Sequence, residues 1–178
     1  TVTFMRMRPA VSIEISIRPP GALLEQLLRD EIELFLFAGG QIETPEAVET
    51  RELGRVRVRM LVRGGHPLAG RATIELSELE AYPLASGTGL DAERLFLMPA
   101  SVSCDNYHLL REVALGSDAV WLSSPAMCAD DIDSGRLVVL EVVDLAPMWS
   151  GITLFISKGR VLSPLAQHVV DLCVRQLE

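Results

Sequence analysis

The segment of residues 101–125, SVSCDNYHLLREVALGSDAVWLSSP, restricts the possible folds of this chain most strongly. Its pattern predicts a short strand, a helix and a second short strand. We expect Asp105 to cap the helix, because a carboxylate can accept hydrogen bonds from the N–H groups of a first helical turn. The apolar run 119–122 is too short for a helix and is typical of a buried strand. Such a unit predicts a parallel sheet with a right-handed crossover.

The helix of this segment has an apolar stripe at helical spacing, which we expect to face the core: Leu109, Leu110, Val113 and Ala114. Residues 116–118 then end the helix. In parallel α/β sheets, ligands bind in the crevice outside the carboxyl ends of the strands. The segment therefore places four residues at a ligand crevice: Asn106, Tyr107, Ser123 and Ser124.

The rest of the chain alternates between predicted strands and predicted helices, which makes the fold class α/β. The strands are predicted at residues 11–17, 32–37, 55–63, 82–86, 137–143 and 152–157. The helices are predicted at residues 22–29, at residues 126–133 and from Ser163 onward. The nearly continuous apolar run 32–37 is typical of a parallel strand that is covered on both faces. The polar residues 41–52 predict a loop or a weak helix.

Charge and hydropathy exclude several classes of protein. The net charge of −8 makes this chain a poor nucleic-acid binder by itself, because an acidic surface repels the phosphate backbone. No apolar run approaches the roughly 20 residues that a membrane-spanning helix needs. The first residues show no signal-peptide pattern, so we expect a cytoplasmic protein, unless such a segment has been removed.

The reactive side chains give no sign of a metal site or of catalysis. The three cysteines are odd in number and widely spaced, which argues against a disulfide framework. Cys104 and His108 lie one helical turn apart, but two ligands do not make a metal site and no second pair lies nearby. The loop that follows residue 86 lacks the lysine and the spacing of a nucleotide-binding loop. We therefore expect no cofactor, no metal and no enzymatic activity.

Several short motifs occur in a fixed order along the chain. They are PAV at 9–11, ELFLF at 33–37, GHPLA at 65–69, YPL at 82–84, GRL at 135–137, KGR at 158–160 and LSP at 162–164. Together they resemble the effector-binding domain of LysR-type transcriptional regulators, over nearly the whole chain. The resemblance is in the ordered set, because each motif alone is weak.

The resemblance implies two Rossmann-like lobes joined by two crossover strands, a fold similar to type 2 periplasmic binding proteins. Breaks near Arg71 and Ser150 suggest that residues 1–72 and 150–178 form the first lobe and residues 73–149 the inserted second lobe. The resemblance also implies a small-molecule site between the lobes and a homodimer or homotetramer. The intact protein would contact DNA only through an N-terminal winged helix-turn-helix domain, which is not in this sequence.

The chain departs from the family pattern in ways that bear on the site. The family domain opens with a strand and a Ser/Thr-bearing loop, whereas residues 1–8 start inside the helix that follows, so the contacts of that loop cannot be assigned. In the family pattern, a glycine pair precedes the strand that corresponds to 119–122, and a Leu-Pro pair follows it. In this sequence, residues 117–119 (Ser-Asp-Ala) stand in place of the glycine pair, and Ser123-Ser124 stand in place of Leu-Pro. These changes put polar side chains at the edge of the crevice.

The candidate effector-binding residues are the small and polar groups at predicted strand ends: Gly39, Ser86, Thr88, Asn106, Tyr107, Ser123 and Ser124. Each of the Ser, Thr and Asn residues is also a common turn or cap residue, so the hypothesis rests on their convergence as a set. N–H groups of the first helical turn favour an anionic ligand, although the charge of Asp105 offsets part of that field. A solute-binding protein for a small anionic metabolite is the alternative function, and an enzyme on the same two-lobed fold is a third.

Overall fold

The computed structural model of the protein describes residues 14–40, 42–88 and 102–177. The helices in this part of the chain are α1 (Pro20–Leu28), α2 (Tyr107–Gly116), α3 (Ala129–Asp133) and α4 (Pro164–Leu177). Short 3₁₀ helices cover Leu76–Ala81 and Pro125–Cys128. The strands are β1 (Leu34–Ala38), β2 (Val48–Arg63), β3 (Leu84–Ser86), β4 (Val102–Ser103), β5 (Val120–Ser123), β6 (Leu137–Val139) and β7 (Met148–Ser157).

The two long strands β2 and β7 connect two α/β lobes. They pair antiparallel from Val48 opposite Ser157 to Val58 opposite Met148. In the first lobe, β7 also pairs antiparallel with β1. Beyond this ladder β2 continues into the second lobe, where it pairs with β5 and β6. The strand order is β1-β7-β2-β5-β3-β4, with β6 on β2, and it confirms the two crossover strands implied by the family resemblance.

The second lobe buries both faces of its sheet. Alternate residues of β2 and β5 point to opposite sides, so Met60 and Leu122 join one hydrophobic cluster while Leu61 and Trp121 join the other. Helix α2 covers the second cluster with Leu110 and Ala114. In the first lobe, α1 packs on β1 and β7, where the rings of Phe35 and Phe155 stack at 4.4 Å.

The segment of residues 101–125 has the predicted order of strand, helix and buried strand. Strand β3 pairs parallel with both β4 and β5, so the parallel sheet predicted for this segment is confirmed. All four residues of β5 are buried. The predicted helical stripe is wrong at Leu109, which is 51% exposed, because the buried face of α2 is centred on Leu110 and Ala114.

The strand predictions were least accurate in the first lobe. Residues 14–17 belong to no strand and are exposed, and residues 11–13 lie outside the described part. An alternating pattern forms a strand only where a neighbouring strand accepts its hydrogen bonds, and no described strand pairs with residues 14–17. Residues 48–52, predicted as a loop or weak helix, belong to β2 because β7 pairs with them. Strand β1 pairs antiparallel rather than parallel among the described residues.

The strand predicted at residues 137–143 is also too long, since β6 ends at Val139. The boundaries proposed for the two lobes stay a prediction.

Within residues 14–40, 42–88 and 102–177, the structure has no helix that is both long and apolar enough to cross a membrane.

A buried ion pair connects α2 to α3 in the second lobe. Asp131 is only 3% exposed. Its two carboxylate oxygens accept hydrogen bonds from Nε and Nη2 of Arg111 at 2.6 and 2.7 Å, and Arg136 lies 2.6 Å from Oδ1. The hydrogen bonds from Arg111 hold the pKa of Asp131 below its usual value, against the opposing effect of burial.

We expect Asp131→Asn to lower the melting temperature by several degrees at neutral pH, because two arginines lose their charged partner at a buried junction. A carboxyl group whose pKa is lowered by folding stabilises the fold at pH values above its pKa in the unfolded chain, which is about 3.9. This stabilisation is lost as the pH falls through the pKa of the group in the folded protein. The difference between the two proteins should therefore shrink towards strongly acidic pH, as measured by thermal unfolding. Asp130→Asn, at the exposed preceding residue, is the control. A difference independent of pH would contradict the ion-pair explanation.

Candidate functional site

A cavity of about 310 Å³ lies where the two lobes meet. The first lobe contributes residues from α1 and β1, and the second lobe contributes the carboxyl end of β5 and the start of α2. Both crossover strands also line it, through Val56 and Val58 of β2 and Ser150 of β7. A molecule in this cavity would therefore contact both lobes and both of the strands that join them.

Four of the seven predicted effector-binding residues line this cavity: Thr88, Tyr107, Ser123 and Ser124. The structure brings them together because β3 and β5 are parallel neighbours, so the residues that follow them meet at one edge of the sheet. Ser123 and Ser124 are 7% and 5% exposed, and they close the second-lobe side of the cavity. Whether these residues contact an effector stays a prediction.

The other three predicted residues do not line the cavity. Ser86 lies inside the fully buried strand β3, and its carbonyl oxygen accepts a hydrogen bond from the N–H of Cys104. Gly39 follows β1, where its N–H donates to the Gly151 carbonyl at 3.3 Å, and the neighbouring Ala38 lines the cavity instead. Asn106 faces the helix rather than the cavity.

The helix cap predicted at Asp105 is at Asn106 instead. Asn106 caps α2, since its Oδ1 accepts hydrogen bonds from the N–H groups of His108 and Leu109 at 3.0 and 3.2 Å. Asp105 lines the cavity and accepts a hydrogen bond from the Thr88 hydroxyl. Both residue types are good N-caps, so the sequence did not discriminate between them. Helix α2 starts at Tyr107, and this start makes Asn106 the cap.

Tyr107 forms a fixed wall of the cavity. Its hydroxyl donates to the Met127 carbonyl at 2.8 Å, and its ring lies 5.0 Å from that of Trp121. Burial, followed by the neighbouring Cys128 and Asp131, raises the pKa of Tyr107, so the phenol stays neutral at physiological pH. Trp121, predicted as a core residue, is buried in the second-lobe cluster and also borders the cavity.

The sequence analysis did not assign Ser150, Val56 or Val58 to the site. Ser150 is 6% exposed, and its hydroxyl oxygen has no hydrogen-bond partner among the described residues. It lies opposite Val56 in the β2–β7 ladder. The alternation of β2 marked the two valines as one face of a strand, but it could not indicate that this face borders a cavity.

The charged side chains that line the cavity in the described residues are Arg18 and Asp105, and they have opposite signs. Two N–H groups at the start of α2 donate their hydrogen bonds to the side chain of Asn106. Among residues 14–40, 42–88 and 102–177, no group of three or more His, Cys, Asp or Glu side chains could hold a metal ion. The cavity therefore offers hydroxyl groups and apolar surface more than charge.

The model of one protein family, the LysR substrate binding domain, matches residues 2–178. This chain belongs to that family. The match confirms the resemblance that the ordered motifs indicated, and with it the two-lobed α/β fold.

Two relatives among known proteins are transcriptional regulators. The SDS degradation transcriptional activation protein of Pseudomonas sp. (strain ATCC 19151) is 31% identical over 175 residues, which cover 92% of this chain and 57% of that protein. The HTH-type transcriptional regulator PcaQ of Agrobacterium fabrum is 25% identical over 153 residues, which cover 78% of this chain and 48% of that protein. The chain thus spans about half the length of these relatives.

Solved structures of LysR regulatory domains have the same fold. The CrgA regulatory domain from Neisseria meningitidis matches with a TM-score of 0.74 at 15% identity, over 99% of this chain and 89% of that one. The regulatory domain of Synechocystis PCC6803 CcmR in complex with 2-PG matches with a TM-score of 0.72 at 15% identity, over 99% and 88%. At these identities the similarity shows the fold alone.

We expect Asn106→Ala to lower the free energy of unfolding by about 1 kcal/mol, because two N–H groups at the start of α2 lose their acceptor. Asn106→Asp should retain most of the stability, since a carboxylate oxygen can accept the same bonds. Urea denaturation of the purified domain measures both effects. Asp105→Ala is the matched comparison, because Asp105 faces the cavity. A larger loss for Asp105→Ala than for Asn106→Ala would show that the cap is misassigned.

Proposed function

We propose that this chain is the effector-sensing and oligomerisation domain of a LysR-type DNA-binding transcriptional regulator, and that the cavity between the lobes binds the effector. The observation that supports this most directly is the composition of the cavity wall, which combines both lobes with both crossover strands. The solved CcmR regulatory domain, which has this fold, is in complex with the small molecule 2-PG.

The geometry suggests how binding would become a signal. A ligand that contacts both lobes favours the relative orientation in which its contacts are best. The change in orientation is driven only by the difference between the ligand's affinities for the two arrangements. In a homodimer or homotetramer, a change in the angle between lobes would alter the positions of the attached DNA-binding domains. The full-length protein would therefore respond to its effector in the cytoplasm, where it meets DNA.

We propose distinct roles for the predicted site residues. Thr88, Tyr107, Ser123 and Ser124 would contact the effector, because they line the cavity. Asn106 would act indirectly, by fixing the start of α2. Ser86 and Gly39 would hold the strand ends from which the site is built. Arg18 is the cationic side chain among the described lining residues, so it would be the partner of a negatively charged group of the effector.

The alternative functions have weaker support. The relatives described above are transcriptional regulators rather than transport proteins, which disfavours a solute-binding protein. An enzyme that uses a serine nucleophile would need a base next to that serine. Ser123 and Ser124 line the cavity, but neither hydroxyl is hydrogen-bonded to a histidine or a carboxylate within the described residues. We therefore propose a binding domain without catalytic activity.

We expect Ser123→Leu to weaken effector binding at least about tenfold, because the larger apolar side chain fills part of the cavity at the end of β5. A thermal-shift screen of carboxylate metabolites identifies compounds that raise the melting temperature, and calorimetry then compares the affinities of the two proteins for such a compound. Ser77→Leu, the same change at an exposed position, is the control. Equal affinities of Ser123→Leu and the unmodified protein would remove Ser123 from the site.

We also expect this chain by itself to show no specific DNA binding at physiological salt. Its net charge of −8 repels the phosphate backbone, and affinity for DNA depends on neutralising phosphates. A gel-shift assay with the promoter region of the gene's own operon measures this. Specific binding at sub-micromolar concentration would show that this domain contacts DNA directly.

A further inference from the structure

We infer that the effector of this cavity has a predominantly apolar body and a single polar head group that hydrogen-bonds to Ser150. The inference rests on the proposed function, because it takes the cavity between the lobes to be the effector site. It adds the chemical class of the ligand and a contact residue on a crossover strand.

The described surface of the cavity is largely apolar. Apolar side chains line the cavity from both lobes, among them Leu23, Leu36, Val56, Val58, Trp121 and Met127. The first four come from α1, β1 and β2, whereas Trp121 and Met127 come from the second lobe. Covering this apolar surface is more favourable for an apolar ligand than for a polar one, because a polar ligand would lose hydration without gaining hydrogen bonds. A ligand that bridges the lobes would thus have apolar contacts on both sides.

The described lining residues offer little positive charge and few free hydrogen-bond donors. A compact anion with two or three charges would need several cationic or N–H partners to replace its hydration. Among the described lining residues, the positive charge is that of Arg18, and Asp105 opposes it. The N–H groups of His108 and Leu109, at the start of α2, already donate to Asn106. The described part of the cavity wall is therefore unsuited to a small polyanion.

The buried hydroxyl of Ser150 points to a hydrogen bond that a ligand would supply. Most buried polar side-chain atoms have a hydrogen-bond partner, and leaving one unpaired destabilises the folded state. Ser150 Oγ is buried and has no partner among the described residues, although Ser150 lines the cavity. A ligand head group would supply the missing hydrogen bond. Because Ser150 lies in β7, this contact would reach one of the two strands that join the lobes.

The test of ligand class is a series of straight-chain carboxylates from butyrate to octanoate, compared with succinate and citrate, by calorimetry on the unmodified domain. We expect the affinity to rise by about fourfold for each added methylene group until the cavity is filled. We also expect octanoate to bind much more weakly to Ser123→Leu than to the unmodified protein. Succinate or citrate as the better ligand, or affinity that does not depend on chain length, would overturn the inference.

These outcomes separate the ligand class from the proposed function. Citrate binding that is lost in Ser123→Leu would leave the cavity as the effector site and would reject the apolar ligand. If octanoate binds with the expected dependence on chain length but equally well to both Ser123→Leu and Ser150→Ala, whose serines both line the cavity, the binding site lies elsewhere. In that case the inference and the assignment of the cavity both fail.

The contact with Ser150 is tested with Ser150→Ala. We expect octanoate to bind about tenfold more weakly, because the hydrogen bond to its head group is lost. The melting temperature without ligand should stay the same or rise, since the hydroxyl that is removed had no partner to lose. Ser77→Ala, an exposed serine, is the control for both measurements. Unchanged octanoate affinity, or a lowered melting temperature without ligand, would show that Ser150 has only a structural role.

Discussion

The antiparallel pairing of β2 with β7 is the interaction on which the other parts of this structure depend. It extends from the outer end of the first lobe, at Val48 and Ser157, to the entrance of the second, at Val58 and Met148. Strand β2 then supplies the edge to which β5 and β6 of the second lobe pair. The ladder therefore fixes the connection between the lobes, and its residues line the cavity between them. Any ligand that touches Val56, Val58 or Ser150 touches this connection directly.

The second-lobe side of the cavity depends on where one helix begins. Asn106 caps α2, so the chain leaves β4 with Asp105 directed to the cavity and enters the helix at Tyr107. The hydroxyl of Tyr107 is held by the Met127 carbonyl, and the Thr88 hydroxyl is held by Asp105. These contacts join the loops after β3, β4 and β5 into one surface. Thr88, Asp105 and Tyr107 are thus fixed by local hydrogen bonds before any ligand binds.

The sequence predictions were accurate for features set by neighbouring residues and less accurate for features set by residues far apart in the chain. The unit formed by β4, α2 and β5 was predicted correctly, because helix stops, buried runs and strand lengths are local signals. Residues 14–17 have an equally clear alternating pattern but do not form a strand. Residues 48–52 have a polar pattern, yet they are part of strand β2. Both differences depend on whether a partner strand is present. Thr88, Tyr107, Ser123 and Ser124 were found as cavity residues by the strand-end rule, whereas Ser150 lies within a strand and gives no such signal.

The sequence by itself determined the α/β class, the buried parallel strands of the second lobe and, through the order of its motifs, the LysR family. These features depend on periodicity and on short-range capping and turn preferences, which each segment expresses through its own residues. The tertiary structure decided which of two adjacent caps is used, how far β2 extends and which residues of the crossover strands meet the cavity. The last two outcomes depend on pairing between residues about a hundred positions apart, such as Val56 and Ser150. No local pattern contains that pairing, and so the hydroxyl that distinguishes this cavity could be seen only in the folded chain.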